Sequence, residues 1–191
     1  MNKRAFLISG ASVAALSMLS SGCTTSGSSS GDPAARRAAI DADVTRALTQ
    51  LYEQVRGSRE LVAASRGVLV FPNVVSAGFI VGGTHGSGAL RKGGMTARYY
   101  SMTAASVGLL AGAQSRAVYY LFMTDDALRR FEESSGWTVG ADASVAMLSV
   151  GANAQVDMTS AQQPVIGFVL TNSGLMANIS MDGTRIVRLD L

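Results

Sequence analysis

The sequence has one cysteine, one histidine and three prolines in 191 residues. A single thiol cannot close an internal disulfide, and Cys23 with His85 is too little for a local metal-ligand cluster. Charged residues make up only 15% and glycine occupies 21 positions, which separates the chain from disordered polyelectrolytes. The formal charge of +3 does not mean a generally basic protein. Two of the 16 basic residues, Lys3 and Arg4, fall in a segment expected to be removed, leaving 14 against 13 acids. That balance gives bulk nucleic-acid binding little support. No fixed repeat period occurs, so a solenoid is excluded. One absence is local: from Gly67 to Thr124 there is no Asp or Glu, while Arg91, Lys92, Arg98 and Arg116 share that span and acids resume at Asp125.

Residues 1–22 have the layout of an export signal. Lys3-Arg4 precede the apolar stretch Ala5 to Leu19, which is short for a membrane span. Ser20-Ser21-Gly22-Cys23 resembles a bacterial lipobox, in which small residues admit the peptidase and the thiol takes the diacylglycerol. The Leu usual three places before the cysteine is here Ser20, with Leu19 one place earlier. The other reading is an ordinary secretory signal whose cysteine is incidental. Thr24 stands where Asp would signal inner-membrane retention, so the lipoprotein reading implies an acylated outer-membrane protein of a bacterial envelope. Residues 23–31 then form a flexible Ser/Gly tether ahead of a domain at 32–191.

Asp32-Pro33 supplies an N-cap and a first-turn proline. Ile40, Val44, Leu48, Leu51 and Val55 recur every three or four residues, giving one apolar stripe that ends before Gly57. Ser58 is expected to cap a second short helix with Leu61 and Val62 inward, and Thr124 a third, Asp125 to about Ser134, with Leu128 and Phe131 inward. From Val68 the period is two. Pro72-Asn73 interrupts the first strand, and Gly78, Gly82, Gly83, Gly86 and Gly88 suit a sheet that bends or meets another backbone closely. Strands are expected at 97–103, 106–114 and 117–123, with Gln114-Ser115-Arg116 as a turn. Residues 137–157 also look strand-like. Val165–Leu170, Leu175–Met181 and Thr184–Leu189 read as a meander, turned at Asn172-Ser173-Gly174 and at Asp182-Gly183.

GVLVFPNVVSAGFIVGGTHGSGAL, residues 67–90, resembles the opening of the SYLF domain, a lipid-binding family that also occurs in eukaryotic actin-patch proteins. Ala97-Arg98-Tyr99-Tyr100-Ser101, Ser106–Leu109 with Gly112–Ser115, Leu121–Thr124 and Val139–Val145 extend the likeness in order. The fold expected is α+β: a curved antiparallel sheet closed into a barrel-like core, with three helices packed on its outside. The resemblance implies a non-enzymatic lipid-binding module without a cofactor. Its expected partners are anionic membrane lipids with phosphoinositide-like headgroups. The alternative is an envelope structural or protein-interaction lipoprotein with incidental lipid affinity.

Two sets of cations could hold a headgroup. Arg91, Lys92 and Arg98 cluster around Gly93-Gly94, where Arg can grip phosphate bidentately and Lys acts as a point charge. Arg36, Arg37, Arg46, Arg56 and Arg59 decorate the first two helices. There Asp41, Asp43, Glu53 and Glu60 are interspersed, so a solvated mixed-charge face competes with a membrane-surface helix. Gly82–Gly88 lacks the Lys-Ser/Thr ending of a phosphate loop and reads as a glycine-rich bend between strands. His85 as a general base has no nucleophile-elbow context around Ser87.

Overall fold

A computed structural model describes residues 32–108, 114–148, 163–171, 174–175 and 181–191, with the backbone alone at 77–81, 106–108, 114 and 174–175. The export signal, Cys23, the tether, Gly112-Ala113, residues 149–157, the turn at 172–173 and most of the expected strand 175–181 lie outside the described residues or are only partly within them. Pro33–Leu191 forms one compact unit that contains both apolar cores entire.

The apolar stripe builds α1, Pro33–Gln54. Ser58 does not cap the next helix. Its hydroxyl approaches the carbonyls of Val55 (2.6 Å) and Leu51 (3.1 Å), closing the end of α1, while Gly57 at φ 82° occupies the N-cap of α2, Ser58–Ala64. The difference is steric: only Gly takes the left-handed turn at little cost, which leaves Ser58 one place late for capping. α3, Asp125–Glu133, begins as its sequence implies, with Thr124 Oγ1 accepting from the Ala127 amide at 3.2 Å.

Among the described residues eight strands form one mixed sheet: β1 Gly67–Lys92, β2 Met95–Gly108, β3 Gln114–Phe122, β4 Trp137–Thr138, β5 Ala146–Met147, β6 Val165–Thr171, β7 Gly174–Leu175 and β8 Arg185–Arg188. Their order is β4-β8-β2-β1-β3-β6-β5, with β7 beside β6. The expectation of an all-antiparallel closed barrel needs two corrections. β5 runs parallel to β6, and the sheet curls through 235° as an open half-barrel. Both ends of the strand order are two-residue strands, too short for a ladder that would join the edges. Nor do the last strands form a meander: β7 pairs β6, whereas β8 pairs β2 and β4 on the other side.

β1 is a single long strand. Pro72-Asn73 shifts its register against β3 between Phe71 and Val74 without ending it. Gly82–Gly88 is not a bend but part of the ladder with β2. Gln114–Arg116 likewise belongs to β3, opposite Ser76, Val75 and Val74. β1 and β2 join through Gly93 (φ 58°) and Gly94 (φ 83°), the two positive φ values of a type I′ hairpin.

The strands are apolar on both faces because both faces are covered. Val68, Val70, Tyr119, Leu121, Ile166 and Phe168 meet Ile40, Val44, Leu48 and Leu51 of α1. Leu69, Phe71, Tyr120 and Phe122 meet Leu128 and Phe131 of α3 together with Trp137. Each such side chain contributes about 1.5–3 kcal/mol on burial. Tyr119 adds a directional tie, its hydroxyl donating to the Ala47 carbonyl of α1 at 2.8 Å.

Candidate functional site

α1, α2 and the β1–β2 hairpin enclose a cleft of about 400 Å³. Thr45, Leu48, Thr49 and Tyr52 line it from α1; their spacing of three and four residues puts them on one helical face. Val62 and Ala63 of α2 form the facing wall, and Gly93 and Gly94 stand at the hairpin edge. A Cβ at either glycine would meet nothing within 4 Å, so that edge is open. The interior is mostly apolar.

Arg91 is the cleft's cation. Its Nη2 donates to the Asp41 carbonyl (3.0 Å) and to Thr45 Oγ1 (2.7 Å), both neutral acceptors, and its buried Nε has no hydrogen-bond partner. The Asp41 carboxylate is engaged elsewhere, accepting from Thr96 Oγ1 (2.7 Å) and the Tyr99 hydroxyl (2.8 Å). Arg59 of α2 is exposed and lies 4.4 Å above the Tyr52 ring, in cation–π range. Burial raises the Tyr52 pKa, and the charges of Arg59 and Arg91 oppose that rise. Burial also raises Tyr99, followed by its hydrogen bond to Asp41. Among the described residues the ion pairs are Arg46–Asp43, Arg66–Asp125, Lys92–Glu132 and Arg129 and Arg130 with Asp126; neither Arg59 nor Arg91 is in one.

The candidate cations of the hairpin are thus divided. Alternation along β1 sends Arg91 toward α1 and Lys92 toward α3, where its ammonium is 3.1 Å from both Glu132 oxygens. Arg98 is exposed on β2 opposite Leu90. Of the helix set, Arg37 donates to the Leu191 carbonyl and Arg46 pairs with Asp43 at 2.8 Å, while Arg36 and Arg56 are exposed. One residue of each set therefore bears on Tyr52: Arg59 lies over its ring, and the charge of Arg91 acts on its hydroxyl. Sequence reasoning missed Tyr52 and Thr45, although both fall on the cleft-facing side of α1. It also counted Asp41 among the acids that dilute the helix surface, whereas its carboxylate is turned to the hairpin.

His85 is exposed on β1 beside a smaller cavity of about 280 Å³ that Asp43, Asn73 and Ser87 also line. Among the described residues no group of three or more His, Cys, Asp or Glu could hold a metal ion, and no helix is long and apolar enough to cross a membrane.

No curated protein matches the chain. A family profile described as Las17-binding protein actin regulator, the Ysc84 family, matches residues 103–190, from within β2 to just past β8. The cleft is built from residues ahead of that span.

Proposed function

From the premise that residues 103–190 carry the SYLF (Ysc84) domain, a lipid-binding and actin-related family of binding domains rather than enzymes, we propose that this chain is a lipid-binding module that recognises anionic headgroups. In this reading, acylated Cys23 and the tether hold the domain at the outer membrane of a bacterial envelope. The supporting observation is the pair Arg59 and Arg91. Arg91 lines the open, mostly apolar cleft, Arg59 lies over the ring of Tyr52, which lines it too, and neither is in an ion pair among the described residues. A local positive patch attracts anions whatever the net charge. Arg98 and the exposed Arg36 and Arg56 would add longer-range attraction. Arg91 is the specific contact, because neutral acceptors fix its position and no ion pair among the described residues engages its guanidinium.

Residues 33–191 should float with vesicles of phosphatidylcholine and phosphatidylglycerol, and not with phosphatidylcholine alone. Binding should weaken as salt rises, since exposed charges are screened beyond roughly 8–10 Å at physiological ionic strength. Arg59→Ser should reduce flotation several-fold with the melt unchanged, because the side chain is exposed. Absence of flotation at low salt would favour the second reading, a protein-binding envelope module, which the description of the matched family as Las17-binding recommends.

A further inference from the structure

We propose that the cleft between α1, α2 and the β1–β2 hairpin takes the single acyl chain of an anionic amphiphile, with Arg91 meeting its carboxylate or phosphate and Arg59 adding positive charge beside Tyr52. This rests on the lipid-binding reading and gives it a ligand class and a place.

The cleft's lining is of two kinds. Leu48, Val62 and Val68 offer no polar side-chain atom, so water in that part has few partners and methylene groups displace it favourably. Arg91 lines the same cleft, positioned by Asp41 and Thr45 and paired with no acid among the described residues. Tyr52 lines it one helical turn beyond Leu48, with the Arg59 guanidinium 4.4 Å over its ring. An uncharged chain would leave both cations unanswered, and a small anion would leave the apolar wall wet. A molecule with a chain at one end and an anionic head at the other satisfies both. The volume of about 400 Å³ is toward the low end for small-molecule sites, which suits one chain rather than a diacyl pair. The open space over Gly93 and Gly94 provides the way in. A free fatty acid and a monoacyl phospholipid present this same chemistry.

The experiment titrates residues 33–191 with cis-parinaric acid, a fluorescent fatty acid, and then displaces it with palmitate, lysophosphatidylglycerol or hexadecanol, each below its micellar concentration. Saturable binding is expected, with palmitate or lysophosphatidylglycerol displacing the probe at least tenfold better than hexadecanol. Their relative strength tells which head the site prefers. Ala63 and Thr49 are exposed and line the cleft, so Ala63→Trp and, separately, Thr49→Trp fill it from the surface without touching a core. Each should weaken probe binding tenfold or more at an unchanged melt. Arg59→Gln should narrow the gap between palmitate and hexadecanol. Probe binding untouched by both plugs, or no saturable binding, overturns the cleft. Should the plugged variants and the unmodified protein still float with anionic vesicles in that case, the lipid-binding reading survives. Probe uptake without flotation would sustain the cleft and sink the membrane-headgroup reading.

Discussion

A methyl group at position 88 would sit 2.0 Å from the Val70 carbonyl oxygen and 2.7 Å from the Phe71 ring, because the second half of β1 passes against the first. Nothing but hydrogen fits there, and the obstacle is backbone, which cannot swing aside. At Gly83, in the same strand, a Cβ meets nothing within 4 Å. Gly88→Ala should therefore cost about 3–5 kcal/mol, the range of severe overpacking, while Gly83→Ala should stay within about 1 kcal/mol of zero. Denaturant melts of the two variants check this, and equal losses would show that β1 does not fold back on itself. The glycines were legible in the sequence as a group, as places of bending or close approach. Which of them is indispensable was not, because that depends on where residue 70 passes residue 88.

At the scale of elements, α1 raises the main question, whether it belongs to the core or to a membrane surface. Its stripe is buried against the sheet, with Leu48 only 8% exposed, and Tyr119, Arg91, Thr96 and Tyr99 all bond to its backbone or to Asp41. Leu48→Ala should cost about 2–5 kcal/mol in a denaturant melt of residues 33–191. A loss below about 0.5 kcal/mol would mean that α1 leaves the sheet in solution. The helices were readable from the sequence because a 3.6-residue stripe and a cap are local signals. Strand partners were not. Gln114-Ser115-Arg116 is polar enough for a turn, yet it pairs with β1, with Ser115 opposite Val75 where both are exposed. Asp182-Gly183 does turn, with Gly183 at φ 77° and the Thr184 amide donating to the Met181 carbonyl at 3.1 Å. The strand after it joins β2, because partner choice depends on which distant edge is free. For the same reason Arg59 and Arg91, 32 places apart in the chain, could be named separately but not as neighbours of Tyr52.

For the molecule as a whole, the five tyrosines shift in one direction. Tyr52, Tyr99, Tyr100, Tyr119 and Tyr120 all have pKa values above the ordinary 10.0, with burial the leading cause in every case. Tyr119 and Tyr120 are fully buried, one in each apolar core, so the effect bears on both faces of the sheet. Burial favours the neutral phenol in the folded state, whereas the unfolded chain ionises near pH 10. Between those values the folded state holds more protons than the unfolded one, so stability falls as pH rises. The contribution is complete below about pH 10 and is lost above it, at about 1.4 kcal/mol per pH unit for each of the buried Tyr119 and Tyr120. The melting temperature should therefore carry no tyrosine-dependent slope up to about pH 9.5 and drop steeply beyond pH 10. Absorbance at the phenolate band should rise in two stages, first as the part-exposed Tyr52 and Tyr99 ionise and then, with loss of the fold, as Tyr119 and Tyr120 do, since neither buried phenol can ionise until its core opens. A smooth titration of all five near pH 10 with the fold intact would contradict the burial of Tyr119 and Tyr120, and with it the covering of both sheet faces.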